Sequence, residues 1–136
     1  MAGYSGTPLV KKLGIKALNR LALLDAPEGF SETLGRLPEL VKLRTDLRGP
    51  APFDLILFFA DSRTKLQERL GDLTSRITKT GSLWIAWPKK ASGVATDLSE
   101  SEVRDMGLST GLVDNKICAV DETWSGLRFV RRVRDR

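Results

Sequence analysis

The chain alternates dense apolar runs with stretches in which apolar residues recur every three or four positions. The clearest case lies at the centre. Phe53 to Ala60 is an almost unbroken run of aromatic and branched residues, which predicts a strand covered on both faces, as in a parallel sheet. Asp61 or Ser62 then offers a helix cap. Leu66, Leu70, Leu73 and Ile77 follow at spacings of four, three and four, one stripe of a 3.6-residue period. Burying that stripe contributes roughly 6–12 kcal/mol by area, an upper bound because unfolded chains are already compact. Gly81 is placed to close the helix, and residues 82–87 read as a second buried strand. Strand, helix and strand together predict a βαβ unit with a right-handed crossover.

The flanks are read in the same way. Thr7 and Pro8 predict a helix start, Thr as cap and Pro at the first turn, over residues 8–13. Residues 21–24 predict a first buried strand, and Ala26-Pro27-Glu28-Gly29-Phe30 forces a loop. A turn or two of helix over 31–36 and a second strand over 40–47 follow. Beyond Pro88 comes a polar loop, 89–98. Ser99 with Glu102 then forms a capping box for a short helix to about Gly107. Extended segments at 113–120 and 127–133, separated by turn residues 121–126, predict an antiparallel hairpin. The pattern therefore describes an α/β fold, a mostly parallel sheet ending in an antiparallel hairpin.

Length and composition narrow this further. A chain of 136 residues with 41% apolar content supports one core, so a single domain over 1–136 is expected. The longest uninterrupted apolar run, Leu55 to Ala60, is far short of the roughly 20 residues that span a bilayer. Lys11, Lys12, Lys16 and Arg20 interrupt the N-terminal apolar residues and argue against a secretory signal. Cys118 is the sole cysteine, which fits a reducing compartment, so a cytoplasmic location is expected. With no histidine the chain cannot build a Ser/His/Asp triad, a Cys/His dyad or a Cys/His zinc site. A general base would have to be Asp, Glu, Lys or Tyr4, and a metal would have to be a hard cation held by oxygen.

The net charge of +5 is concentrated at one end. In the last nine residues five arginines face one aspartate, giving +4 and leaving +1 for all the rest. Arg128, Arg131, Arg132 and Arg134 thus form a possible contact for nucleic acid or an acidic protein. The alternative is a solvated edge strand whose arginines discourage pairing with other chains.

Several stretches resemble a known family. Gly3-Tyr4-Ser5-Gly6-Thr7-Pro8-Leu9, Ala26-Pro27-Glu28-Gly29-Phe30, Trp87-Pro88-Lys89-Lys90 running on through Ala91-Ser92-Gly93-Val94-Ala95-Thr96-Asp97-Leu98, and Val120-Asp121-Glu122-Thr123-Trp124-Ser125-Gly126-Leu127 are similar to the bacterial family called domain of unknown function 3052. The resemblance covers nearly the whole chain. It implies a standalone bacterial protein with a three-layer, Rossmann-like fold of S-adenosylmethionine-dependent methyltransferase topology. It implies no established activity and no catalytic residues. Such methyltransferases approach their cofactor with a glycine-rich turn after the first strand. Here that turn is Asp25-Ala26-Pro27-Glu28-Gly29, with one glycine and a proline that removes an amide donor. The phosphate-binding pattern GxxxxGK[ST] has no match.

In open α/β sheets ligands bind beyond the carboxyl ends of the parallel strands. Three loops meet that condition: residues 25–30, 61–63 and 87–97. The last holds Trp87, Lys89, Lys90, Ser92, Thr96 and Asp97, a possible cradle for a small anionic or nucleotide-like group. Glu28 and Glu122 are placed to face the same cleft, and Trp124 is either a packing plug or an exposed contact. Each candidate also has a structural reading. Lys89 and Lys90 serve equally as surface charges, Asp61 as a helix cap and Trp87 as a residue packed under its loop, while Trp84 reads as core. Together these features favour a non-catalytic ligand-binding domain with no cofactor of its own. A divergent S-adenosylmethionine-dependent methyltransferase and an interaction module built on the basic last strand are the alternatives.

Overall fold

The computed structural model describes residues 7–136. The resemblance at Gly3 to Gly6, and Tyr4 as a possible base, lie outside the described residues. Helix α1 (Leu9–Leu13), strand β1 (Arg20–Leu24), helix α2 (Phe30–Leu34) and strands β2 (Lys42–Arg44) and β3 (Phe53–Phe59) come first. Helix α3 (Arg63–Ser75), β4 (Ile77–Pro88), α4 (Glu100–Leu108), β5 (Val113–Ala119) and β6 (Trp124–Val130) complete the chain. The six strands form one sheet in the order β2-β1-β3-β4-β6-β5. Strands β1 to β4 pair in parallel, and β6 runs antiparallel to both β4 and β5.

The apolar run at 53–59 sits at the centre of the sheet, where both faces of a strand are covered and apolar side chains can point either way. On one face Ile56 and Phe58 pack with Leu66, Leu70 and Leu73 of α3 and Val103 of α4. On the other, Leu55, Leu57 and Phe59 pack with Val10 and Leu13 of α1 and Phe30 and Leu34 of α2. The result is three layers with a core on each side of the sheet. Trp84 on β4 is fully buried on the α1 side, and its indole N–H donates to the Leu13 carbonyl at 2.8 Å.

The central βαβ unit is as expected except at its return. Ser62, not Asp61, caps α3, its hydroxyl accepting from the Lys65 amide at 3.2 Å. Ile77 does not belong to the helix stripe; it opens β4 opposite Phe53. The chain turns at Arg76, whose guanidinium donates to the carbonyls of Leu47, Gly49 and Ala51, while its own carbonyl accepts from Phe53 N–H at 2.7 Å. Gly81 does not close the helix either. It lies within β4 at a register shift, where a side-chain carbon would come within 2.9 Å of the Asp54 carbonyl. Glycine is needed there for close strand approach.

Other boundaries move for local reasons. Helix α1 starts at Leu9, with Pro8 in the cap position. Helix α2 starts at Phe30, behind Gly29 in the left-handed region (φ 81°). The second strand shrinks from eight expected residues to three: Leu40 takes a positive φ of 58° and breaks the run before it, and the Asp46 carboxylate accepts from the Arg48 amide in a turn after it. Ser99 caps α4 through the Glu102 amide at 3.3 Å, but the Glu102 carboxylate pairs with Arg63, so only half of the capping box forms. The last strand spans 124–130 rather than 127–133 and is not an edge, since it sits between β4 and β5. Arg128 is therefore inside the sheet. Arg131 leaves it and donates to the carbonyls of Thr74 and Ile77, both at 3.0 Å. Arg132 and Arg134 are exposed in the tail.

Candidate functional site

Strand β1 has β2 on one side and β3 on the other, and the chain crosses over it between them. This reversal of strand order opens a crevice at the carboxyl ends. The loops that converge there come from β1 (residues 25–29), β3 (60–62) and β4 (from Lys89), joined by the β5–β6 turn (120–123). All three loops predicted to border a ligand thus lie on one edge of the sheet.

Among the described residues, two grooves of nearly equal size lie along this edge. The first, about 380 Å³, lies beside the switch point on the β2 side of β1, between Leu23 and the 25–31 segment on one side and Leu43 and Thr45 on the other. Asp25 takes a left-handed backbone conformation (φ 57°) and Gly29 another (φ 81°), with open space where a Gly29 side chain would stand. A non-glycine residue in that region is uncommon and stores backbone strain. Phe30 lies edge to face with Phe59 at 4.8 Å, and Phe59 with Trp124 at 5.1 Å. This aromatic row ties the β1 loop to the hairpin turn. Asp25 also faces the start of α3: the Lys65 ammonium is held above its ordinary pKa first by its bond to Asp61 and also by the charge of Asp25.

The second groove, about 390 Å³, lies on the α3/α4 side, between Trp87 and Lys90 and the residues Val94, Thr96, Leu98, Ser99 and Glu100. A wider and more open depression of about 600 Å³ lies at the opposite edge, around Leu18, Leu40 and Lys42. It is bordered by the amino ends of the strands, away from the convergent loops.

The predicted site residues divide between these settings. Trp87 is only 5% exposed and packs in the α3/α4 core. Lys89 donates from Nζ to the Asp121 carbonyl at 2.8 Å. The Ser92 hydroxyl donates to the Lys89 carbonyl at 2.6 Å and accepts from Val94 N–H at 3.2 Å. Thr96 Oγ1 accepts from Leu98 N–H at 3.1 Å. Asp97 accepts from Arg63 N–H at 2.8 Å, a cap for α3 supplied from another loop. Asp61 pairs with Lys65 at 2.9 Å. Lys90 lines the second groove and is exposed. Trp124 is half-buried against Phe59, and Glu28 and Glu122 are both exposed, neither side chain bonded to another described residue. Sequence reasoning named the loop at 25–30, Asp25 included, but not Ser31, Leu43 and Thr45 as lining residues. Leu43 and Thr45 were hidden by an overlong second strand.

Among the described residues no three Cys, Asp or Glu side chains converge as a metal site, and no helix is long and apolar enough to cross a membrane.

Strand order, layers and the antiparallel hairpin define a Rossmann-like methyltransferase fold. A SAM-dependent methyltransferase from Aquifex aeolicus superposes with a TM-score of 0.63 over 89% of this chain and 86% of its own, at 15% identity. The DhpI–SAH complex gives 0.64 over 96% and 86%, at 11% identity. Magnesium protoporphyrin IX methyltransferase from Synechocystis, with bound SAM, gives 0.57 over 91% and 74%, at 12% identity. The chain belongs to the family described as protein of unknown function (DUF3052), whose model matches residues 51–133. No match was found among curated proteins.

Proposed function

We propose that the chain is a binding domain for a nucleoside-type ligand, held in the switch-point crevice, and that it carries out no methyl transfer of its own. The observation that carries this reading is the first groove: its place at the reversal of strand order, its size and its mixed lining. Leu23, Leu43 and Phe30 offer apolar walls for a flat ring, while Asp25, Ser31 and Thr45 offer polar groups for ribose hydroxyls. The lining fits S-adenosylmethionine or S-adenosylhomocysteine better than a dinucleotide. Pro27 has no amide to give to a phosphate, and the Asp25 carboxylate repels one while attracting a cationic sulfonium. Bound S-adenosylmethionine would supply an activated methyl group. Residues 25–31 would hold it, and Glu28 stands exposed beside them.

The test is calorimetric titration of the full chain with S-adenosylmethionine, S-adenosylhomocysteine and adenosine. Saturable binding is expected for at least one of them, with a melting temperature that rises with concentration, as for any ligand that binds only the native state. Thr45→Arg, which fills the first groove, should abolish it, and Val94→Arg, in the second groove, should not. Binding that survives Thr45→Arg refutes the crevice as the site. The second reading, a divergent methyltransferase, is favoured by the fold shared with SAM- and SAH-bound enzymes. A methylated product formed on incubation with S-adenosylmethionine would establish it over the first.

A further inference from the structure

Arg128 stands in the middle of β6, half-buried, with Trp84 of β4 on one side and Lys116 of β5 on the other as register partners. Two cations thus sit directly across from each other on one face, which costs stability unless something neutralises them. Lys116 Nζ donates to the Lys12 carbonyl at 3.1 Å, so the pair lies on the α1 side of the sheet, where the Trp84 indole reaches Leu13. The tail folds back so that Arg136 Nε donates to the Arg131 carbonyl at 3.1 Å. Burial first, and then the charge of Arg136, push the Arg128 pKa below the ordinary arginine value.

The other inward arginines are each held by hydrogen bonds or ion pairs. Arg104 meets Asp114 and Glu100, Arg76 meets three carbonyls and Arg131 meets two. Arg128 differs. Its Nε is buried without a partner, as is that of Arg76, but among the described residues no other atom of the Arg128 side chain makes a hydrogen bond or ion pair either. A partly desolvated cation with no counter-charge, flanked by two more cations, is a costly arrangement. A guanidinium fork is also the side chain best shaped to take two oxygens of one oxyanion.

We propose that Arg128, Lys116 and Arg136 form a binding site for a phosphate-type oxyanion on the α1 side of the β5–β6 hairpin, separate from the switch-point crevice. The phosphate can come from a small phosphorylated molecule or from a nucleic-acid backbone, and the experiment distinguishes them. The full chain is titrated by calorimetry with inorganic pyrophosphate and, separately, with a short single-stranded oligonucleotide, at constant ionic strength set with potassium chloride. Saturable binding is expected in at least one arm, weakened about tenfold or more in Arg128→Gln. Binding of pyrophosphate alone assigns a small ligand; binding of the oligonucleotide assigns a nucleic-acid backbone. Arg128→Gln should keep the melting temperature of the ligand-free protein or raise it, because it removes an uncompensated charge. Lys116→Gln, at a more exposed position, repeats the test should Arg128→Gln fold poorly. No saturable binding in either arm, or binding undiminished in both variants, overturns the site.

Discussion

The two grooves at the carboxyl edge match in volume and differ in construction. Of the polar side chains that line the groove beside Trp87, Thr96 accepts from the Leu98 amide, Ser99 from the Glu102 amide and Glu100 pairs with Arg104, which leaves Lys90 unbonded among the described residues; behind them Ser92, Asp97 and Lys89 bond to the Lys89 carbonyl, the start of α3 and the hairpin turn. Beside β1 the wall is short and exposed, and among the described residues the side chains of Asp25, Ser31 and Thr45 make no hydrogen bond. A polar group already satisfied by its own loop must give up that bond before it can serve a ligand, whereas an unspent one at a switch point needs no such exchange. Richness in lysines, hydroxyls and indoles thus marked the loop that organises the edge. The groove with more free groups was the plainer one in sequence.

The strongest way to break this comparison is to remove Trp87. If it is core, Trp87→Ala leaves a cavity under the 89–98 loop and lowers stability by about 3–5 kcal/mol, read from urea denaturation. Below its melting temperature the variant should still bind the crevice ligand with wild-type affinity. A stability loss under about 1 kcal/mol, with ligand affinity reduced, would turn the indole into a lining residue and make the second groove the better site.

A smaller effect is expected at Asp97. Its carboxylate caps α3 at Arg63 alongside the Ser62 hydroxyl on Lys65, so Asp97→Ala should cost about 0.5–2 kcal/mol, the range for helix caps. Amide hydrogen exchange should rise in the first turn of α3 and hardly at all in α4. Unchanged protection at Arg63 would show that the cap contributes nothing in solution.

The legible parts were those whose pattern repeats over many residues. The run at 53–60 and the stripe Leu66, Leu70 and Leu73 gave β3, α3 and the buried face between them, because period and burial agree there. Boundaries set by single contacts were not legible. Nothing local announces that Arg76 will tether three carbonyls and turn Ile77 into a strand residue, or that Leu40 will adopt a positive φ and cut β2 short. The site suffered from the same blindness. Side-chain chemistry pointed to 87–97, but whether a hydroxyl or ammonium is free depends on partners far along the chain, such as Asp121 for Lys89, which no spacing rule reaches. The tail was misjudged for a related reason: Arg128 acquires its character only from Lys116 across the hairpin, once the strand is found to start at Trp124.

The mildest test, and the one that separates the grooves most cleanly, is Lys89→Met. Methionine keeps most of the aliphatic stem and removes the ammonium that donates to the Asp121 carbonyl. That bond joins the β4 loop to a turn that is already closed on itself, since the Asp121 carboxylate accepts from the amides of Thr123 and Trp124 at 2.8 and 2.7 Å, and since Lys89 N–H donates to the Thr123 carbonyl. The backbone bond and the turn survive the substitution, so the loss should be about 0.5–1.5 kcal/mol, one ordinary hydrogen bond. Binding in the crevice should not change, because Lys89 does not line it. If affinity for S-adenosylhomocysteine or adenosine falls while stability holds, the ammonium is serving the ligand rather than the turn, and the ligand reaches beyond the first groove.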